Sequence, residues 1–254
     1  MSNYKMVIQY DGTRYRGWQR QKSTGDTIQG KLETILSRQF GRTIEVDGSG
    51  RTDAGVHAAG QVANFRIPDS LAPDKTPDEM CGILSGMFAQ YLPEDIAVLS
   101  VRTASDRFHA RLNAVKKTYV YRIWNAPYPN VFERKFMLHR TEAFDLDAMQ
   151  RASEYLLGQH DFAAFCGNAR MKKSTVRNLY EIRIERIGEE IRFTFTGNGF
   201  LQNMVRILTG TLTEAGLGTY QPERVKEILE GKTRSLAGPT MPPEGLTLWK
   251  VYYE

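Results

Sequence analysis

One stretch concentrates the residue types that do chemistry: Gly48-Ser49-Gly50-Arg51-Thr52-Asp53-Ala54-Gly55-Val56-His57-Ala58. A lone carboxylate, Asp53, sits between Arg51 and His57. The stretch is too polar and too glycine-rich for a core element. Its glycines suit a backbone that turns sharply or admits a ligand closely. Two readings compete. Asp-Ala-Gly is an ordinary turn, with the Asp side chain accepting from backbone N–H groups two residues on. A loop carboxylate can also serve covalent catalysis, splitting one hard step into easier ones. Local composition alone favours the turn, so the decision rests on the rest of the chain.

Other residues point to an anionic partner. The formal net charge is +5, a mild lean toward polyanions. Thr13-Arg14-Tyr15-Arg16-Gly17-Trp18-Gln19-Arg20-Gln21-Lys22 is a basic loop interleaved with aromatics. Such interleaving suits RNA, because guanidinium groups meet phosphates while aromatic faces stack on unpaired bases. A surface loop with Trp18 tucked into the core explains the same residues equally well. Arg107-Phe108-His109-Ala110-Arg111 is a second basic-aromatic loop, and Arg170-Met171-Lys172-Lys173 a third basic one. The four histidines (His57, His109, His139, His160) lack metal spacing, and two distant cysteines, Cys81 and Cys166, make neither a disulfide framework nor a zinc cluster. No metal is expected. The N-terminal residues contain no signal-peptide apolar region, and no apolar run is long enough to cross a bilayer. A reducing cytoplasm fits these features.

The elements that must position these residues follow from periodicity. Lys5 to Tyr10 alternates as a strand. Asp26 or Thr27 caps a helix carrying Ile28, Leu32, Ile35, Leu36 and Phe40 on one face, and Gly41 stops it. Thr43 to Asp47 and Gly60 to Phe65 read as strands flanking the Asp53 loop. Pro77 and Asp78 open a helix with Met80, Leu84, Met87 and Tyr91 inward, and Ile96 to Arg102 closes the unit. The order is β-α-β-β-α-β, the ferredoxin-like pattern. The second half repeats it: a strand over Thr118 to Trp124, a helix capped by Asp145 and ended by Gly158, strands over Tyr180 to Arg186 and Ile191 to Thr196 joined at Gly188, and a helix burying Phe200, Met204, Ile207 and Leu208. Phe136 to His139 is an extra, read as a short strand or hairpin partner. A short helix near Glu223 to Leu229 and a strand over Thr247 to Tyr253 finish the chain. The expected fold is therefore α+β, with two ferredoxin-like halves over residues 1–104 and 105–254. Their sheets are expected to be mixed and mainly antiparallel, with a cleft between the halves.

Gly50 to Ala58 resembles the signature of the TruA family of tRNA pseudouridine synthases. Further blocks carry the resemblance across nearly the whole chain, in order: Tyr10-Asp11-Gly12 with Tyr15, Gly17-Trp18-Gln19 and Gln21; Phe108-His109-Ala110-Arg111 and Tyr119-Val120-Tyr121; Gly199-Phe200-Leu201, Met204-Val205-Arg206 and Gly210-Thr211-Leu212; Ala237-Gly238-Pro239-Thr240 and Pro242-Pro243-Glu244-Gly245-Leu246. Such a set is far more specific than one short motif. One block departs from the pattern. Before Leu92-Pro93-Glu94-Asp95-Ile96 the family usually carries an Asn-Ala pair, and Ala89-Gln90 stands here instead. That leaves open a paralogue with altered uridine preference.

The resemblance implies isomerisation of uridine to pseudouridine in the tRNA anticodon stem-loop, at nucleotide positions 38, 39 and 40. It implies a cytoplasmic homodimer, with one tRNA contacting both subunits, and neither cofactor nor metal. It makes Asp53 the nucleophile, Arg206 the cation that keeps Asp53 ionised against burial, and Tyr119 the aromatic at the target base. Tyr119 would stack on the uracil and assist removal of the C5 proton. Whether Asp53 attacks C1′ or C6, or first removes a ribose proton, stays open. The target uridine must leave its stack, at a cost on the order of a few kcal/mol. Arg51 is read as a phosphate contact, and Arg14, Arg16, Arg20, Lys116, Lys117, Lys172 and Lys173 are candidates to grip the backbone. His57 is read as a neutral packing residue.

Two other classes compete. A non-catalytic RNA-binding module would share the fold, but its stacking signature on a strand is absent. A phosphate-handling enzyme would need the third glycine of G-x-G-x-x-G or a P-loop lysine, and Gly48-Ser49-Gly50 brings neither.

Overall fold

The computed structural model describes residues 1–168 and 170–253. Two compact units divide the chain: Met1–Val115 with Leu248–Glu254, and Lys116–Thr247. The expected boundary after residue 104 thus compares with a division after Val115, and the chain end belongs with the first unit.

The first unit runs β1 (Ser2–Tyr10), α1 (Ile28–Phe40), β2 (Val46–Gly48), β3 (His57–Ile67), α2 (Pro77–Tyr91) and β4 (Ile96–Ala104). β1 pairs antiparallel with both β3 and β4, and β2 pairs antiparallel with β3. This is the β-α-β-β-α-β order with the ferredoxin-like pairing. Alternation on β1 buries Tyr4, Met6, Ile8 and Tyr10. α1 buries Ile28, Leu32 and Leu36, one helical row. Each such side chain contributes about 1.5–3 kcal/mol when fully buried.

The helix ends follow their local chemistry. Thr27 Oγ1 accepts from the Gly30 N–H (3.2 Å) at the start of α1, and Gly41 takes the left-handed conformation after it (φ 64°). Thr76 and Glu79 form a capping box on α2, with Pro77 in its first turn. On α2 the inward row is Met80, Leu84 and Phe88 with Met87. Tyr91, expected inward, is the last helical residue and is exposed; Phe88 completes the four-residue spacing in its place.

The second unit holds β5 (Lys116–Asn125), β6 (Leu138–Arg140), α3 (Leu146–Glu154), β7 (Gly158–Asp161), β8 (Val176–Ile187), β9 (Glu190–Gly197), α4 (Met204–Gly216) and α5 (Arg224–Gly231). β9 pairs antiparallel with β5 and β8, β7 pairs antiparallel with β8, and β6 lies parallel to β5. The class is α+β, mixed and mainly antiparallel. β10 (Leu246–Tyr252) closes the chain. Gly158, expected to end α3, instead opens β7 with a positive φ (91°), four residues past the last helical residue Glu154. β7 is an addition to the expected order, a strand of four residues, too short to show alternation. β6 lies where a short strand or hairpin partner over Phe136 to His139 is expected, and it runs parallel to β5.

Candidate active site

Asp53 lies in the connection from β2 to β3. That connection is pinned from several sides within its own unit. The Ser49 N–H donates to the Val62 carbonyl (2.7 Å), Ser49 Oγ donates to Gln61 Oε1 (2.6 Å), and Gln61 Nε2 donates to the Gly50 carbonyl (2.9 Å). The segment after β1 holds the other side. The Trp18 N–H donates to the Thr52 carbonyl (3.0 Å), and the Gly55 N–H donates to the Tyr15 carbonyl (3.3 Å). Tyr10 Oη and Thr52 Oγ1 share a buried hydrogen bond (2.8 Å). The residues immediately around Asp53 are therefore fixed by main-chain bonds on both flanks. A turn is present too: the Val56 N–H donates to the Asp53 carbonyl (3.2 Å). It closes through the backbone, and the Asp53 side chain is half-buried.

Two glycines permit this approach. Gly17 has φ 93°, and a Cβ there would lie 2.7 Å from the Thr52 carbonyl oxygen. At Gly48 a Cβ would stand 2.5 Å from the Trp18 indole. Trp18 is 2% exposed, so it is core and offers no face to a base. His57 is buried and opens β3 instead of ending the loop; its Nδ1 accepts from the Gly12 N–H (3.0 Å).

The basic residues of the first loop differ in what they do. Arg14 donates twice to Asp95 Oδ2 (2.9 and 2.6 Å), and the Tyr15 hydroxyl donates to Asp95 Oδ1 (2.6 Å). Burial, reinforced by the bond to that carboxylate, pushes the Tyr15 hydroxyl above its ordinary pKa. Arg20 pairs with the buried Glu33 (3.1 Å). Arg51 donates through Nε to Gln19 Oε1 (2.8 Å). Arg16 has an exposed side chain. Asp95 anchors Arg14 and Tyr15 together, a role that sequence reasoning did not assign; its only trace was the block Leu92 to Ile96.

Tyr119 and Arg206 belong to the second unit. Tyr119 is on β5, 8% exposed, with its ring edge-on to Phe200 at 5.0 Å between centroids. Arg206 is in the first turn of α4 and half-buried, while its neighbours Val205 and Ile207 are buried. Its Nε donates to the Met241 carbonyl (2.6 Å) and its Nη1 to Asn203 Oδ1 (3.2 Å). The Met241 N–H returns a bond to the Arg206 carbonyl (3.3 Å). The tail around Met241 is itself tied down. Tyr121 Oη donates to the Pro242 carbonyl (2.7 Å), and the Gly238 N–H donates to Thr211 Oγ1 (2.9 Å). Lys116 and Lys117 begin β5 half-buried, and Lys172 and Lys173 are exposed before β8. Among the described residues no group of three or more His, Cys, Asp or Glu is placed to hold a metal ion, and no helix is long and apolar enough to cross a membrane.

A family model described as tRNA pseudouridine synthase matches residues 6–112 and 152–254. Those spans include Asp53 and Arg206 but not Tyr119. The tRNA pseudouridine synthase A of Bacillus sp. (strain KSM-64) is 48% identical over 238 residues, 94% of either chain. The tRNA pseudouridine synthase A 2 of Bacillus anthracis is 42% identical over 253 residues, 100% of either chain. The tRNA pseudouridine synthase A of Acetivibrio thermocellus is 39% identical over 253 residues, again 100% of either chain. With the pinned Asp53 loop and the tail-braced Arg206 both inside the matched spans, the chain belongs to the tRNA pseudouridine synthase family.

Proposed function

We propose that the protein converts uridine to pseudouridine at positions 38, 39 and 40 of the tRNA anticodon stem-loop, with Asp53 as nucleophile and no cofactor. In this reading it acts in the cytoplasm as a homodimer, and one tRNA contacts both subunits. The observation that supports it most is the fixed backbone around Asp53: the Thr52 carbonyl and the Gly55 N–H are both bonded to the Tyr15–Trp18 segment. A reactive carboxylate gains from such fixing, because misplacement by about 1 Å can cost on the order of 10²-fold in rate.

The chemistry breaks the bond from C1′ to N1, turns the uracil, and joins C1′ to C5; C5 loses a proton and N1 gains one, so the product is an isomer. Redox and phosphoryl steps are not required. Asp53 supplies the covalent step. Arg206 supplies the positive charge that accompanies the carboxylate. Tyr119 stacks on the uracil and assists loss of the C5 proton. Arg51, Arg16, Lys116, Lys117, Lys172 and Lys173 contact the RNA backbone. Arg14 and Arg20 contribute through charge already shared with Asp95 and Glu33.

A second reading gives the enzyme a different uridine target. It rests on Ala89 and Gln90, which are exposed near the end of α2. Incubation with an unmodified tRNA transcript, followed by mapping of new pseudouridine, decides. Product at the three anticodon-stem positions supports the first reading, and product elsewhere supports the second. Bound but unmodified tRNA leaves only an RNA-binding module.

A further inference from the structure

Glu33 is a buried carboxylate with no part in the proposed chemistry. It lies one helical turn beyond Gln29 on α1. Gln29 Nε2 donates to Glu33 Oε1 (2.9 Å) and to the Val46 carbonyl (3.0 Å). Gln29 Oε1 accepts from the Arg20 N–H (2.8 Å) and from Gln19 Nε2 (2.7 Å). Gln19 Oε1 then accepts from Arg51 Nε (2.8 Å).

The direction of this chain is forced. A carbonyl and an ionised carboxylate only accept, and a backbone N–H only donates. Gln29 therefore fits one way round. Its oxygen then obliges Gln19 to offer an N–H, which leaves Gln19 with its own oxygen toward Arg51. Arg51 has only donors, so the match is complete at the last link. A flipped amide at either glutamine would set like against like.

We propose that Gln29 and Gln19 are positioning residues: a one-way amide relay from the helix α1 to Arg51, holding its guanidinium two residues from Asp53 and leaving the terminal nitrogens to an RNA phosphate. The inference rests on the proposed function for the phosphate and on the hydrogen bonds alone for the relay. A planar guanidinium held at Nε keeps its two Nη groups for bidentate phosphate contact. Fixing it beforehand removes ordering cost at the moment of binding.

The test uses the full chain with an unmodified tRNA transcript, in wild type, Arg51→Met, Gln19→Met and the double variant. Affinity is measured across a salt series. Each phosphate contact contributes about 0.7–0.9 to the slope of log K against log salt. Arg51→Met is expected to reduce the slope by about one. Gln19→Met is expected to lower affinity several-fold and reduce the slope in the same direction. The double variant should be no worse than Arg51→Met, the non-additivity of residues acting as one unit. A merely structural Gln19 would lower thermal stability, leave the slope unchanged and add to Arg51→Met. A second measurement needs no RNA. Solvent exchange of the Arg51 Nε–H, followed by NMR, should accelerate in Gln19→Met and also in Gln29→Met, which does not touch Arg51. Unchanged exchange in Gln19→Met overturns the relay, and an unchanged slope in Arg51→Met overturns the phosphate contact.

Discussion

Gly17 and Thr52 stand so close that a Cβ on Gly17 would lie 2.7 Å from the Thr52 carbonyl oxygen. The same oxygen accepts from the Trp18 N–H (3.0 Å). One residue further on is Asp53. The close approach therefore joins the segment after β1 to the backbone of the candidate nucleophile, through a position where φ is +93°.

Gly17→Ala should break that junction. An L-residue at this φ costs about 1–2 kcal/mol, and the new methyl must also push Thr52 away. We expect a loss of about 1–3 kcal/mol in denaturant unfolding, with a larger proportional loss of pseudouridine formation in the fraction that stays folded. Full turnover per folded molecule would show that the loop's exact placement is unimportant.

The basic loop separates into structural and exposed charges. Asp95→Ala removes the acceptor of the buried Tyr15 hydroxyl, and an unsatisfied buried donor costs about 1–3 kcal/mol. Arg14→Ala breaks an ion pair whose arginine side is 68% exposed, a contact that solvent screens and that adds little to stability. Asp95→Ala should thus lower the unfolding midpoint clearly more than Arg14→Ala. For tRNA binding, Arg16→Glu is the clean charge reversal, since Arg14→Glu would set a carboxylate against Asp95. Arg16→Glu should weaken tRNA binding and leave the unfolding midpoint in place. Unchanged affinity would remove this loop from the RNA interface.

The sequence revealed the repeating elements because they rest on local signals. Thr27, Thr76 and Asp145 each immediately precede the helix they cap, and the apolar rows of α1 and α2 repeat every three or four residues. Trp18 could not be assigned that way. Its burial depends on Gly48, thirty positions along the chain, whose missing side chain makes room for the indole. Asp95 was hidden for the same reason: its partners Arg14 and Tyr15 are eighty residues away in sequence. The short β7 carries too few residues for periodicity. On the candidate site, spacing singled out Asp53 as a lone carboxylate, while the role of each partner came from resemblance. Gln29 and Glu33 left only a faint trace, a polar pair one turn apart on an otherwise apolar helix face.

Tyr119→Phe keeps the ring packed against Phe200 and removes only the hydroxyl. If that hydroxyl assists removal of the C5 proton, single-turnover product formation should fall by about 10²–10⁴-fold. Affinity for tRNA should change little, because the stacking face is preserved. A Phe variant with full turnover would confine Tyr119 to stacking.

Asp53→Asn is the decisive substitution. It keeps the size of the side chain and leaves the main-chain bonds from Trp18 and to Tyr15 untouched. If Asp53 only shapes a turn, the variant should be nearly silent, since the turn closes through the Val56 N–H and the Asp53 carbonyl. If Asp53 is the nucleophile, an amide cannot take its place in covalent catalysis. We expect no detectable pseudouridine, a normal unfolding midpoint and retained tRNA affinity, all measured on one preparation. Arg206 provides the companion test. Arg206→Ala removes both the charge and the Nε bond to the Met241 carbonyl, so it should lower turnover severely and stability somewhat. Arg206→Lys keeps the charge but not the planar fork, and its turnover should fall between wild type and Arg206→Ala. An active Asp53→Asn enzyme would refute the covalent role. An inactive variant that also unfolds under conditions where wild type is folded would assign the carboxylate a structural role and withdraw the support for a covalent one.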